Sequence, residues 1–79
     1  MNADAVRRLM NECLVRQRKA PIASDGQTLR ELGFRSLDFS EVALRVEEQV
    51  GRELDFDAGL LRSIETVGDV IAFFQNAAA

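Results

Sequence analysis

Apolar residues recur along this chain at the three-to-four spacing of helices, and the recurrence is broken by a few clear turn signals. Val6, Leu9, Met10, Cys13 and Leu14 share one face of a helix predicted from about Asn2 to Lys19. Asn2 or Asp4 can cap its start, and Arg16, Arg18 and Lys19 complement the dipole at its end. Ala20-Pro21 closes it, because the residue before a proline is pushed out of the helical region. Residues 21 to 35 then form a long connection around the turn signal Ser24-Asp25-Gly26. Ile22, Leu29, Leu32 and Phe34 are placed to tack this connection across the helices, and Thr28 to Leu32 can form a short helical turn.

The second strong helix is predicted from Ser36 to about Val50, with Leu37, Val42, Ala43, Val46 and Val50 as its apolar stripe and Gly51 as its C-cap. Glu41 with Arg45, and Glu48 with Arg52, stand at i,i+4 in the favourable order. Asp57 can cap a brief third helix through Arg62, weakened by Gly59. Thr66 caps a last helix, with Asp69 in the capping-box position and Val67, Val70, Ile71 and Phe74 as the buried stripe. The alanine-rich tail is expected to fray. The sum is an all-α fold, a small antiparallel four-helix bundle of three main helices and one short helix with a long first loop.

Composition narrows the function classes. A chain of 79 residues holds one domain, here taken to span residues 1–79. It is 47% hydrophobic and 29% charged, which reads as soluble and globular. A formal charge of −3 leaves no basic footprint for nucleic acid. The lone cysteine excludes an internal disulfide and fits a reducing compartment, and no apolar run approaches a membrane span, so a cytoplasmic chain without membrane insertion is expected.

The chain has no histidine, the commonest base for an attacking Ser or Cys, so no intrinsic enzyme activity is expected. Asp55, Asp57, Gly59 and Glu65 faintly echo a calcium loop, but a glycine stands where a ligand is needed and Leu60 where the glycine belongs. No metal site is therefore assigned. Cys13 lies on an apolar helix face, where a free cysteine serves as a small hydrophobe. Ser36 ends a loop and opens the longest helix, where backbone N–H groups lack partners and a phosphate would meet the positive end of the dipole. By position alone, a plain N-cap explains it as well.

The surroundings of Ser36 add to this. Leu32-Gly33-Phe34-Arg35-Ser36-Leu37-Asp38 resembles the modification motif of acyl carrier proteins, whose usual core is L-G-x-D-S-L followed by an acidic helix. Residues 46–54, Val-Glu-Glu-Gln-Val-Gly-Arg-Glu-Leu, are similar to the end of that family's second helix. Residues 66–71, Thr-Val-Gly-Asp-Val-Ile, are similar to the start of its last helix. The three matches come in family order and cover most of the chain from Leu29 to Phe74.

The resemblance implies that Ser36 accepts 4′-phosphopantetheine from coenzyme A through a phosphodiester, and that the arm's thiol carries an acyl group as a thioester. It implies a phosphopantetheinyl transferase and acyl-loading and acyl-processing enzymes as partners, of fatty acid, other lipid or polyketide-like synthesis, met by a monomer. Asp38, Glu41, Glu47 and Glu48 match the family's acidic recognition positions, and Leu37 and Leu44 the apolar contacts among them. Arg35 replaces the family's usual Asp, and is placed to contact the phosphodiester. The third-helix residues Leu60-Leu61-Arg62 lack the usual acids, and the charge is milder than the family norm. These departures imply a specialised carrier with dedicated partners. Two alternatives stay open. One is an aminoacyl or peptidyl carrier; the other is an unmodified interaction module that binds through Phe39, Leu44, Leu60 and Leu61. Ala43 and Val46 serve equally as walls of an acyl cavity or as ordinary core.

Overall fold

Helix α1 spans Ala3–Arg16, α2 Leu29–Leu32, α3 Ser36–Val50, α4 Ala58–Arg62 and α5 Val67–Ala77. The computed structural model describes residues 1–55 and 58–79. Among these the fold is mostly helical, with no strand beyond a single antiparallel bridge between Thr28 and Thr66. The expected cap of α4 by Asp57 lies outside the described residues.

Each long helix buries the stripe that its spacing predicts. From α1 come Val6, Leu9, Met10, Cys13 and Leu14; from α5 come Val67, Val70, Ile71 and Phe74. Helix α1 packs on both α3 and α5, so its stripe is the centre of the core. Leu32 of α2, with Phe34 and Leu54 from the connections, closes the core, and Ile22 and Leu29 are half-buried against it. Each of the larger side chains contributes about 1.5–3 kcal/mol by leaving water. Phe39 of α3 stacks on Phe74 at 5.0 Å between ring centroids and tilts against Phe73 at 5.4 Å. The radius of gyration, 11.5 Å, is that of a compact chain of this length, about 11.6 Å.

Local caps set the boundaries. Asn2, not Asp4, caps α1, its Oδ1 accepting from the Ala5 N–H at 2.8 Å. Thr28 and Thr66 both build reciprocal capping boxes, with Glu31 and Asp69. The two capped ends lie side by side: the Leu29 N–H donates to the Glu65 carbonyl and the Val67 N–H to the Gln27 carbonyl. The long connection is thereby fastened to the start of α5. Gly33 and Gly51 end α2 and α3 at φ 74° and 75°, a left-handed conformation that glycine adopts without steric cost.

Three expectations are corrected. Helix α1 stops at Arg16, short of Lys19, and Arg18 takes φ 62°, so it forms the helix-ending turn and does not extend the last turn. Leu37 is 77% exposed and does not belong to the buried stripe of α3. At 100° per residue it lies opposite Val46, whereas Asp38, Val42 and Val46 at i, i+4 and i+8 share the inward face. No Glu48–Arg52 ion pair forms among the described residues. Arg52 instead donates to the carbonyls of Ala77 and Ala79, at the end of α5.

Candidate functional site

The first turn of α3 is assembled from three elements. Arg35, and not Ser36, is the N-cap residue, with extended backbone at φ −107° and ψ 176°. An arginine side chain has no acceptor for the helix amides. The cap is supplied in reverse: Asp38, three residues on, accepts the Arg35 N–H through Oδ2 at 2.7 Å. Its other oxygen accepts from Gln17 Nε2 of the α1 end at 2.5 Å. Asp38 is 4% exposed, the one charged residue buried among the described residues. Gln17 returns a contact through its Oε1, which accepts from the Arg35 guanidinium at 3.1 Å and from Lys19 Nζ at 2.9 Å. Lys19 also donates to the Gly33 carbonyl at 2.6 Å. The loop before α3 is thus fixed to the end of α1 by charge-assisted bonds.

Ser36 emerges from this frame as the first helical residue. It is exposed, and its hydroxyl makes no hydrogen bond among the described residues. A purely structural N-cap serine would bond the N2 or N3 amide from one position earlier. Beside Ser36 lies an open groove of about 540 Å³. Leu29, Phe34, Phe39, Leu61 and Ile64 are its apolar lining residues, and Arg30, Arg35, Ser36 and Ser40 line it as well.

The acidic positions of α3 separate into different environments. Asp38 faces inward, as described. Glu41 is half-buried: it accepts from the Cys13 thiol at 3.3 Å, from Arg16 in a short contact, and lies 3.9 Å from Arg45. The Arg16 bond, then the Cys13 bond, hold its carboxyl below the usual carboxylate range. Burial first, then the neighbouring Glu41, push the Cys13 thiol up to about 11. Glu47 accepts from the Leu54 N–H at 2.8 Å and so anchors the chain leaving α3. Glu48 is exposed and makes no such bond among the described residues. Leu37 and Leu44, 77% and 60% exposed, lie seven residues apart on the outward face. Ala43 and Val46 are fully inside the core.

The structure brings together Arg35, Ser36 and Asp38 as the sequence suggests, and adds Gln17, which no motif marks. Its partners lie 18 and 21 residues away, so only the docking of α1 against the loop reveals it. Arg35 reaches back toward Gln17 and lies 3.8 Å from Asp38. Among the described residues no three His, Cys, Asp or Glu side chains converge as a metal site, and no helix is long and apolar enough to cross a membrane. Comparison with protein-family models, with curated proteins and with solved structures finds no match to this chain.

Proposed function

We propose that this chain is a carrier of the acyl carrier type, with 4′-phosphopantetheine on Ser36 and an acyl group held as a thioester on the arm. The single observation that carries the reading is the Ser36 hydroxyl. It is exposed, engages no partner among the described residues, and stands one residue past the position a capping serine occupies. The motif from Leu32 to Asp38 supports it, with Asp38 and Gln17 holding the turn that presents Ser36. A phosphodiester there would lie beside the first-turn amides of α3 and near the cationic edge formed by Arg30 and Arg35.

On this reading α1, α3 and α5 are the main members of an antiparallel four-helix bundle, α4 is its short fourth helix, and α2 belongs to the long first loop. The carrier is a cytoplasmic monomer that makes and breaks no bonds itself. It meets a phosphopantetheinyl transferase, then the acyl-loading and acyl-processing enzymes of a specialised lipid or polyketide-like pathway. Leu37, Leu44 and Glu48 are the outward groups of α3 that such partners can touch; Asp38, Glu41 and Glu47 are engaged within the fold.

The competing reading is an unmodified interaction module, favoured by the exposure of Leu44, Leu60 and Leu61, although Phe39, also expected in that surface, is half-buried against Phe73 and Phe74. Intact mass after incubation with coenzyme A and a broad-specificity phosphopantetheinyl transferase separates the two. The wild-type chain is expected to gain one phosphopantetheine and Ser36→Ala none. If the wild type stays unmodified, Arg35→Asp is tested next, because a cation at that position can bar a general transferase. An unmodified Arg35→Asp chain would overturn the carrier reading and leave the interaction module.

A further inference from the structure

We infer that Gln17 is a positioning residue for the reaction at Ser36. It acts through Arg35 and Asp38, and so makes the end of α1 part of what a transferase requires; the role rests on the carrier reading. Gln17 is the half-buried C-cap residue of α1, and its partners stand on either side of Ser36 in the chain. Its Nε2 donates to Asp38 Oδ1 at 2.5 Å and to the Cys13 carbonyl at 3.2 Å. Its Oε1 accepts from the Arg35 guanidinium at 3.1 Å and from Lys19 Nζ at 2.9 Å. A primary amide has two N–H donors and two acceptor lone pairs, so every bonding position of this one is filled.

The partners fix which way the amide faces. Turned over, it would set its oxygen against a carboxylate and a carbonyl, and its NH2 against two cations. A carboxylate in its place would repel Asp38 and an ammonium would repel Arg35 and Lys19, whereas the amide serves both signs. The consequence reaches Ser36 from both neighbours. Arg35 immediately precedes it, with a side chain that is 67% exposed and otherwise held only by the loose pair with Asp38 at 3.8 Å. Asp38 follows two residues later and accepts the Arg35 N–H through its second oxygen. Gln17 thus closes a ring from α1 through the residues that flank the serine. The Ser36 hydroxyl has no hydrogen bond of its own among the described residues, so this backbone frame sets where Oγ stands. In the reaction Oγ bonds to the phosphorus that bears the pantetheine arm as the phosphoanhydride of coenzyme A breaks. Adenosine 3′,5′-bisphosphate leaves, and the hydroxyl proton passes to a base of the transferase. A reacting atom misplaced by about 1 Å slows such a step by up to about 100-fold.

The test measures kcat and KM for this chain as the substrate of a broad-specificity phosphopantetheinyl transferase, with product read by intact mass. Gln17→Met keeps the length of the side chain and loses its four bonds. Its kcat is expected to fall about tenfold, with KM within about twofold of wild type. A merely structural role would move the other constant, because partial unfolding lowers the effective substrate concentration and so raises KM while sparing kcat. Gln17→Glu keeps an oxygen for Arg35 and Lys19 but cannot donate to Asp38, and its kcat should fall about as far. Arg7→Ala, which cuts another tie of α1 to the long connection at Asp25, should keep the wild-type kcat. Circular dichroism gives the folded fraction of each variant. A wild-type kcat in Gln17→Met or Gln17→Glu overturns the inference, and so does an equal loss of kcat in Arg7→Ala. If the wild type stays unmodified while Arg35→Asp is modified, the inference falls and the carrier reading stands, because the native contact of Gln17 with Arg35 would then hinder the reaction. If neither chain is modified, the carrier reading falls and takes the role of Gln17 with it.

Discussion

Asp38 bears the heaviest single duty in the chain. A buried carboxylate is tolerated only when its oxygens are bonded, and both of these are: one by the Arg35 N–H, the other by Gln17. The ion pair with Arg35 adds little, because the guanidinium is largely in solvent and 3.8 Å away. Replacing Asp38 with Ala removes the cap of α3 and strands the Gln17 amide. A loss of about 2 kcal/mol is expected by urea denaturation, with Asp38→Asn losing less because its oxygen still accepts. An Asp38→Ala variant as stable as wild type would show that water replaces both bonds. The residue was legible in the sequence as an acid three positions after a loop end. Its inward direction follows from the Asp38-Val42-Val46 spacing, which puts it on the buried face of α3. Gln17 was not legible, because nothing local distinguishes it from any other polar residue at a helix end.

Among the elements, the end of α1 departs most from an ideal design. The Arg18 N–H bonds the Val15 carbonyl and the Lys19 N–H the Leu14 carbonyl, which closes the helix with Arg18 itself in the left-handed conformation. That conformation suits glycine, as at Gly33 and Gly51, but here it is occupied by an exposed arginine. Arg18→Gly is expected to raise stability by up to about 1 kcal/mol, the relief of the Cβ clash exceeding the added freedom of the unfolded chain. A urea midpoint that moves down would instead assign the Arg18 side chain a stabilising contact. The Thr66 cap behaves as its sequence pattern predicts, and Thr28 builds the same box with Glu31, because a capping box is local: four consecutive residues contain all its donors and acceptors. The end of α1 was misjudged for the complementary reason. Three basic residues within four positions, Arg16, Arg18 and Lys19, satisfy the helix dipole whether or not the helix continues through them.

For the molecule as a whole, the absence of histidine and the directions of the shifted groups define a pH profile. Asp25, Glu31, Glu41 and Asp69 all have carboxyls lowered in the folded state, by Arg7, by Thr28, by Arg16 and by the backbone N–H groups of Glu65 and Thr66 respectively. Groups lowered by folding stabilise the fold above their ordinary values and lose that contribution as pH falls through the folded ones. Stability is therefore expected to decline as pH drops below about 4.5. Cys13 has the opposite sense. Its thiol is raised from near 9 to about 11, so its contribution is intact below 9 and is lost as pH rises toward 11. Between these limits, from about pH 5.5 to 8, stability should be nearly flat. Thermal melts across pH 3–10.5 on wild type, Glu41→Gln and Cys13→Ala check this. Glu41→Gln should shallow the acid limb and Cys13→Ala the alkaline one, and a wild-type profile that slopes through neutrality would contradict the assignment.

The sequence by itself determined what depends on neighbours along the chain. Periodicity placed the buried faces of α1 and α5, Thr66 with Asp69 began α5, and Gly51 ended α3. Ser36 with its flanking residues was marked as the place where chemistry could be attached. Tertiary structure decided what depends on residues far apart. The approach of α1 to α3 turned Asp38 into a buried anchor and drew Glu41 onto Cys13 and Arg16. Arg52, just past the end of α3, met the carbonyls at the end of α5. The groove with its two arginines likewise exists only because α2, α3 and the segment around Leu61 and Ile64 converge. The physical reason is range. Helical phase and capping are set within about one turn of chain, while the partner of a charged group is chosen by which surfaces the hydrophobic core forces together.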